Sequence, residues 1–317
     1  MNHRVNETDI AILVPTYRAA ATVARCLESV LASGVQEVIV SDNASDDRTL
    51  EVVRGFKDAR LRLISQPRNV GLWKNHLALL RETSRPWVKF LHADDIICPG
   101  GLAAMARHAE ADVSVVGVVP MFENLDTGEQ WSTFRLDRAL QWTSDEYLRR
   151  LLTVGNELGS PSHTLFRSNV LLREPESWSN EMSCDLIANV VAASRGQVVL
   201  MPAGAIITGL HRRQDTNIQG PDLSLERLKR SIECLRQMPD RRVRRFAGVF
   251  GLAEGLGSMR TLIGWARRGG KLRLRHLLAV GKIIRAAGIG GMSDLVAVFR
   301  MLRWKYWRRA GRRLDTA

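Results

Sequence analysis

Residues 87–99 read Trp-Val-Lys-Phe-Leu-His-Ala-Asp-Asp-Ile-Ile-Cys-Pro. The β-branched and aromatic run Trp87–Leu91, entered through Pro86, predicts a buried strand, and the adjacent carboxylates Asp94 and Asp95 follow it. In a parallel sheet, ligands gather beyond the carboxyl ends of the strands. Two like charges side by side repel. A divalent cation would reconcile them, since oxygen ligands suit Mg2+ or Mn2+ and such an ion neutralises a diphosphate. A solvated turn in which Asp95 caps a helix begun near Pro99 accounts for the same residues. These residues alone do not separate the two readings.

The sequence before this stretch repeats its pattern. Ile10–Val14 is a continuous apolar run, and Thr22–Leu31 carries helical spacing in Val23, Leu27, Val30 and Leu31. Further strand–helix pairs are expected at 38–40 with 46–56, 61–64 with 71–80 and 87–91 with 100–108, then a strand at 113–119. The alternation predicts an α/β fold, a mostly parallel central sheet with helices on both faces, followed by a basic helical region.

The loops after the strands are therefore the place to look for a site. Pro15-Thr16-Tyr17-Arg18 follows the first strand, and the Tyr17 ring offers a surface on which a nucleobase can stack. Ser41-Asp42-Asn43-Ala44-Ser45-Asp46-Asp47 follows the second. Ser45 or Asp46 suits a helix cap, whereas Asp42 at the strand end can accept a base N–H or a ribose hydroxyl. Arg68-Asn69-Val70-Gly71-Leu72-Trp73-Lys74-Asn75 follows the third, with Gly71 permitting close backbone approach to a ligand. Neither G-x-G-x-x-G nor G-x-x-x-x-G-K-[ST] occurs, which argues against NAD enzymes and P-loop NTPases.

These motifs, taken in order with Leu91-His92-Ala93-Asp94-Asp95, resemble those of the family 2 glycosyltransferases, inverting enzymes of the GT-A fold (the nucleotide-diphospho-sugar transferase fold). The resemblance covers residues 9–215 and implies that Pro15, Thr16, Tyr17, Asp42, Asn69, Asn75 and His92 hold the nucleotide. It places Asp94 at the family's metal-binding aspartate, with Asp95 next to it. In one respect the chain departs from the family: Asp-x-Asp has become His92-Ala93-Asp94, so the first acid is missing, and its ribose or metal contact falls to His92, to Asp95 or to neither.

Residues 121–135 predict a hairpin about Asp126-Thr127-Gly128. Gly159–Arg167 enters a short strand through a turn and is similar to an acceptor-side segment of these transferases. Ser183 or Asp185 would cap the helix expected over Leu186–Ala193. By resemblance, Asp185 is the general base, with Glu181 as the alternate. His211, shortly before Thr216, is similar to a family histidine near the diphosphate and metal. The Arg often found two residues before it is Gly209 here, and Arg212 and Arg213 can contact phosphate instead.

The formal net charge is +13, and it is unevenly placed. From Glu226 onward there are 23 Lys and Arg against 6 acids, leaving the first 225 residues slightly acidic. A boundary near Gln219–Asp222 divides a catalytic region, 1–220, from a basic helical region, 221–317. Leu295, Val298, Phe299, Leu302, Trp304, Tyr306 and Trp307 mix there with Arg300, Arg303, Lys305, Arg308 and Arg309. That composition suits a helix lying on anionic lipid, and it also suits a cap packed on the catalytic region; nucleic acid has no recognisable motif behind it. Cys26, Cys98, Cys184 and Cys234 lack Cys-x-x-Cys spacing, the N-terminus lacks an apolar signal core, and no apolar run reaches about 18 residues. A cytoplasmic protein, peripheral on the inner face of the plasma membrane, is the expectation.

The resemblance implies a hexosyltransferase-type enzyme that uses Mn2+ or Mg2+. It would move sugar from a nucleoside diphosphate sugar, a UDP-sugar by expectation, to a glycan or lipid-linked acceptor in surface polysaccharide synthesis. Two rivals stay open. A sugar-nucleotide nucleotidyltransferase would show a glycine-rich basic signature after the first strand, where Pro15-Thr16-Tyr17 stands. A catalytically inactive GT-A-like binding protein would explain the altered acid motif.

Overall fold

The computed structural model describes residues 4–154, 156–172, 184–211 and 221–252. Glu181, Arg212, Arg213 and the aromatic, basic stretch 295–309 lie outside the described residues. The chain divides into two compact units, 1–144 with 157–214, and 145–156 with 215–317.

The first unit opens with β1 (Ile10–Thr16), buried along its whole length as an apolar run between two covered faces requires. Then come α1 (Val23–Leu31), β2 (Glu37–Asp42), α2 (Thr49–Gly55), β3 (Leu61–Ser65), α3 (Leu72–Arg81) and β4 (Trp87–Phe90). Next are β5 (Ile96–Ile97), α4 (Gly101–Ala106), β6 (Val113–Val118), β7 (Met121–Asn124), β8 (Gln130–Ser132) and β9 (Leu140–Trp142). α1 buries Val23, Leu27 and Val30 as its spacing predicts, together with Cys26, while Leu31 is only partly buried. The hairpin expected about Asp126–Gly128 is the antiparallel β7–β8 pair.

α5 (Ser144–Val154) starts at the edge of the second unit, and its buried Tyr147, Leu148 and Leu151 belong there. The first unit resumes with β10 (Thr164–Arg167), α6 (Ser168–Leu172), α7 (Cys184–Arg195), β11 (Gln197–Met201) and β12 (Ile206–Leu210). In the second unit, α8 (Pro221–Gln237) and a helix at 241–252 bury Ile232, Leu235, Val243 and Phe246. Arg242 Nη1 lies 3.3 Å from Asp145 Oδ1 within that unit.

The large sheet runs in the order β3-β2-β1-β4-β10-β6-β11-β9. β1 pairs in parallel with β2 and β4, and β6 with β11, while β10 runs antiparallel between β4 and β6. That insertion carries Ser160–His163 to the carboxyl end of β4. A second sheet, β5-β12-β7-β8, carries β12 beneath the residues that follow β4. Backbone approach there is close: a Cβ at Gly209 would collide with the Asp94 carbonyl and meet the Leu125 side chain. Gly209 thus stands where any side chain would push the two sheets apart. Gly209→Ala should cost at least about 3 kcal/mol in urea unfolding, the upper end for overpacking because the obstacle is backbone; a change below 1 kcal/mol would show that the contact yields easily.

Candidate functional site

The ends of β1 and β2 meet in register, Pro15 opposite Ser41 and Thr16 opposite Asp42. Beyond them the chain turns through left-handed backbone at Arg18 (φ 51°) and Ala44 (φ 57°), conformations that non-glycine residues adopt only when their surroundings hold them. Ser45 Oγ accepts from Arg18 N at 3.0 Å, and Arg18 grips Asp46 with two bonds of 2.7 and 2.6 Å. The Tyr17 ring is left 43% exposed, with the Arg18 guanidinium 5.1 Å from its centroid.

Asp42 is fully buried; its carboxylate accepts from Ser45 N at 2.9 Å, Ser45 Oγ at 2.6 Å and Thr16 Oγ1 at 3.1 Å. The loops after β2 and β3 are laced by an amide exchange. Asn43 donates to Asn69 Oδ1 at 3.0 Å and accepts from Val70 N at 2.8 Å, and Asn69 Oδ1 also accepts from Gly71 N at 2.9 Å. Gly71 (φ 88°) then starts α3 from a backbone conformation that suits glycine. Asn75 is 2% exposed and spends both ends of its amide on Ser41, accepting from its hydroxyl at 2.6 Å and donating to its carbonyl at 3.0 Å. Asn75 therefore braces the end of β2.

At the end of β4, His92, Asp94 and Asp95 bring one donor atom each within 4.8 Å of one another. Asp95 is 1% exposed; its Oδ1 accepts from Gly209 N at 3.1 Å, and its buried Oδ2 has no hydrogen-bond partner and lies 4.0 Å from His92 Nδ1. Burial, and then the Asp94 charge, hold its carboxyl well above the usual carboxylate range. His211 Nε2 is 3.6 Å from Asp94 Oδ2, which joins the end of β12 to the group. Two carboxylates with imidazole nitrogen form a donor set for a divalent cation such as Mn2+, and the unpaired Oδ2 is the buried lone-pair group that such an ion would satisfy.

Sequence reasoning gave no role to two buried polar neighbours of this group, Lys89 and His76. Lys89 is fully buried, and its ammonium donates to Ser162 O and, at 3.2 Å, to Thr164 O. Its signal was a lone lysine inside an apolar strand. His76 shares the inward stripe of α3 with Trp73, Leu77 and Leu80, and spacing alone places it there. Ser162 takes the His92 backbone N–H at 3.0 Å. His163, from the segment singled out by sequence, bonds Ser160 Oγ and Thr208 Oγ1, both at 3.1 Å. Asp185 sits in the first turn of α7, four residues before Asn189, whose amide donates to Gly159 O at 3.1 Å. Residues four apart share a helix face, so Asp185 lies one turn before the residue that contacts Gly159.

Burial dominates the titration of these groups. It pushes His76 down to about 3, and with the Lys89 charge it pushes the partly enclosed His92 down to about 4. Lys89 falls from 10.5 to about 7, desolvation outweighing the pull of Asp95. Between those two values the unfolded chain holds a proton that the folded chain has released, so stability rises with pH across that window and is insensitive to this group below it. The stability of the wild-type chain minus that of Lys89→Met should climb from pH 7 to pH 10 by up to about 1.4 kcal/mol per unit in urea unfolding. A flat difference would mean that Lys89 titrates normally.

Residues 11–172 match the sequence profile of Glycosyl transferase family 2. The succinoglycan biosynthesis protein ExoO of Rhizobium meliloti (strain 1021) is 34% identical over 163 residues, 50% of this chain and 44% of that protein. The chain spans about half the length or less of the curated relatives it matches. Among solved structures, S. aureus TarS 1-349 in complex with UDP-GlcNAc superposes with a TM-score of 0.65 at 17% identity, covering 96% of this chain and 93% of that one. The mannosyltransferase PcManGT from Pyrobaculum calidifontis, in complex with GDP-Man and Mn2+, gives 0.56 at 16% identity, covering 96% and 90%. The likeness in three dimensions carries the GT-A fold. With a family profile matched over half its length, across the loops that build the site just described, the chain belongs to glycosyl transferase family 2.

Proposed function

We propose that this chain transfers a sugar from a nucleoside diphosphate sugar, a UDP-sugar first among them, to a hydroxyl of a glycan or lipid-linked acceptor, with inversion at the anomeric carbon. The observation that carries the reading is the gathering of His92, Asp94 and Asp95 at the carboxyl end of β4. The loops after β1, β2 and β3 and the exposed ring of Tyr17 stand at the same end of the sheet. The solved neighbours bound to UDP-GlcNAc and to GDP-Man support the donor class, and ExoO supports polysaccharide synthesis as the setting.

In this reading Tyr17 stacks on the base. Pro15, Thr16, Asp42 and Asn69 shape the pocket that takes the base and ribose, and Asn75 acts through Ser41. Asp94, Asp95, His92 and His211 would hold Mn2+ or Mg2+, which when bound supplies positive charge against the leaving diphosphate. Asp185 takes the acceptor hydroxyl proton as the new C–O bond forms and the anomeric bond to phosphate breaks. One displacement inverts the centre, so no protein nucleophile is required.

Calorimetric titration with nucleoside diphosphates and their sugars, with and without Mn2+, tests the donor. Metal-dependent binding confined to one base is expected, and loss of that binding in Asp94→Ala. Asp185→Asn should keep the donor affinity and lower turnover by about 10²–10⁴-fold, the share of a general base; wild-type turnover would remove Asp185 from that role. The altered motif at His92 favours a second reading, an inactive GT-A-like binding protein, and failure to bind any nucleotide would support it.

The proposal extends to the membrane. Among the described residues no helix is long and apolar enough to cross one. We read the basic, aromatic stretch 295–309 as an adhesive surface for anionic lipid that keeps the enzyme peripheral on the inner face of the plasma membrane. Each cation near such a surface is worth about 1 kcal/mol. Replacing Arg300, Arg303, Lys305, Arg308 and Arg309 by Gln should therefore weaken binding to phosphatidylserine vesicles more than about a hundredfold while sparing donor binding. Unchanged vesicle binding would refute the lipid reading.

A further inference from the structure

The two imidazoles behind the acid pair form a directional chain. His76 is 1% exposed, and its Nδ1 lies 2.8 Å from the Leu72 carbonyl oxygen. A carbonyl only accepts, so that nitrogen carries the proton. The other ring nitrogen, Nε2, lies 3.3 Å from His92 Nε2. The ring centroids are 5.4 Å apart with the planes at 81°, so the two nitrogens face each other head-on and the rings are not stacked. Two ring nitrogens facing each other at that distance hold a single proton between them, and a ring as deeply buried as His76 is neutral, with one proton only. Since His76 Nε2 has only its lone pair, the proton belongs to His92 Nε2. His92 Nδ1 is then a bare lone pair, 4.0 Å from the unpartnered, buried Asp95 Oδ2. That gap is too long for a hydrogen bond and within reach of two ligands sharing one cation. The His92 backbone is also held, because Ser162 Oγ accepts its N–H at 3.0 Å.

We propose that His76 is a positioning residue: by accepting the Nε2 proton of His92 it leaves the His92 Nδ1 lone pair to bind a divalent cation together with Asp94 and Asp95. The inference rests on the donor-site reading above and deepens it. A nitrogen ligand stands where the motif otherwise carries a first acid. The shell therefore favours Mn2+ and other transition ions over Mg2+, since imidazole is a borderline ligand and Mg2+ prefers oxygen. A metal-binding imidazole is oriented by the partner of its other nitrogen, and removing such a partner costs about 10–100-fold in metal affinity.

The test uses the full chain with Mn2+ alone. Pulsed electron paramagnetic resonance should show 14N modulation from a coordinated imidazole, reduced or lost in His92→Asp. The same variant should bind Mg2+ more nearly as well as Mn2+. His76→Phe, which keeps a ring but offers no acceptor, should weaken Mn2+ binding about 10–100-fold. His76→Gln, whose amide oxygen can take the same proton, should recover most of that loss. Modulation unchanged in His92→Asp would assign the nitrogen to His211 and overturn the inference, as would absence of Mn2+ binding or wild-type affinity in folded His76→Phe. If His76→Phe fails to fold, the Gln variant and the His92→Asp spectrum still decide. Sugar transfer without 14N coupling defeats this inference and leaves the transferase reading intact, whereas coupling without any nucleotide binding does the reverse.

Discussion

A carboxylate 1% exposed to solvent, tied by one oxygen to the backbone N–H of Gly209 and left without a hydrogen bond at the other, is the constraint on which the rest of this structure turns. Burying a charged group costs several kcal/mol unless something compensates it. Here the compensation is incomplete on the protein side. The bond to Gly209 holds β12 against the residues after β4, and the lack of a side chain at Gly209 lets the two sheets approach. What remains uncompensated faces His92, so the architecture that joins the sheets also leaves a place for positive charge.

Around that carboxylate the chain arranges polar groups that are buried but largely spoken for. Asp42, Asn43, Asn69 and Asn75 exchange hydrogen bonds among the loops after β2 and β3. Through Ser45, Asp42 connects to the left-handed turn at Arg18, beside the exposed ring of Tyr17. A polar network of this kind rigidifies the pocket, so that a ligand meets groups already in position. Lys89 anchors the antiparallel strand β10 to β4 from beneath through two carbonyl bonds, and the strand in turn presents Ser162 to His92. A basic group is thus kept under the acid pair without occupying the pocket.

Much of the first unit was legible in the sequence. Ile10–Val14, Val38–Val40, Leu61–Ile64 and Trp87–Leu91 became strands within a residue or two, and the turn at Asp126–Gly128 became the β7–β8 hairpin. Asp94, Asp95 and His92 were legible as a group because three close neighbours in sequence share one strand end. His76 and Lys89 were not, since a histidine on an inward helix stripe and a lysine inside a strand have no meaning until the facing element is known. α5 likewise gave no sign that it belongs with the helices after residue 215 rather than with the strands around it.

The sequence by itself determined the alternation of strands and helices, the polar loops at the strand ends and the acid pair after β4. Each follows from periodicity and composition within a dozen neighbouring residues, and the physics of burial acts on those locally. Only the tertiary structure decided that β10 would enter antiparallel between β4 and β6, that Gly209 would meet Asp95 across 114 positions, and that His76 would face His92. Such pairings depend on which surfaces fit once the sheet has formed. Close packing and hydrogen-bond satisfaction select them among many arrangements that share the same local pattern.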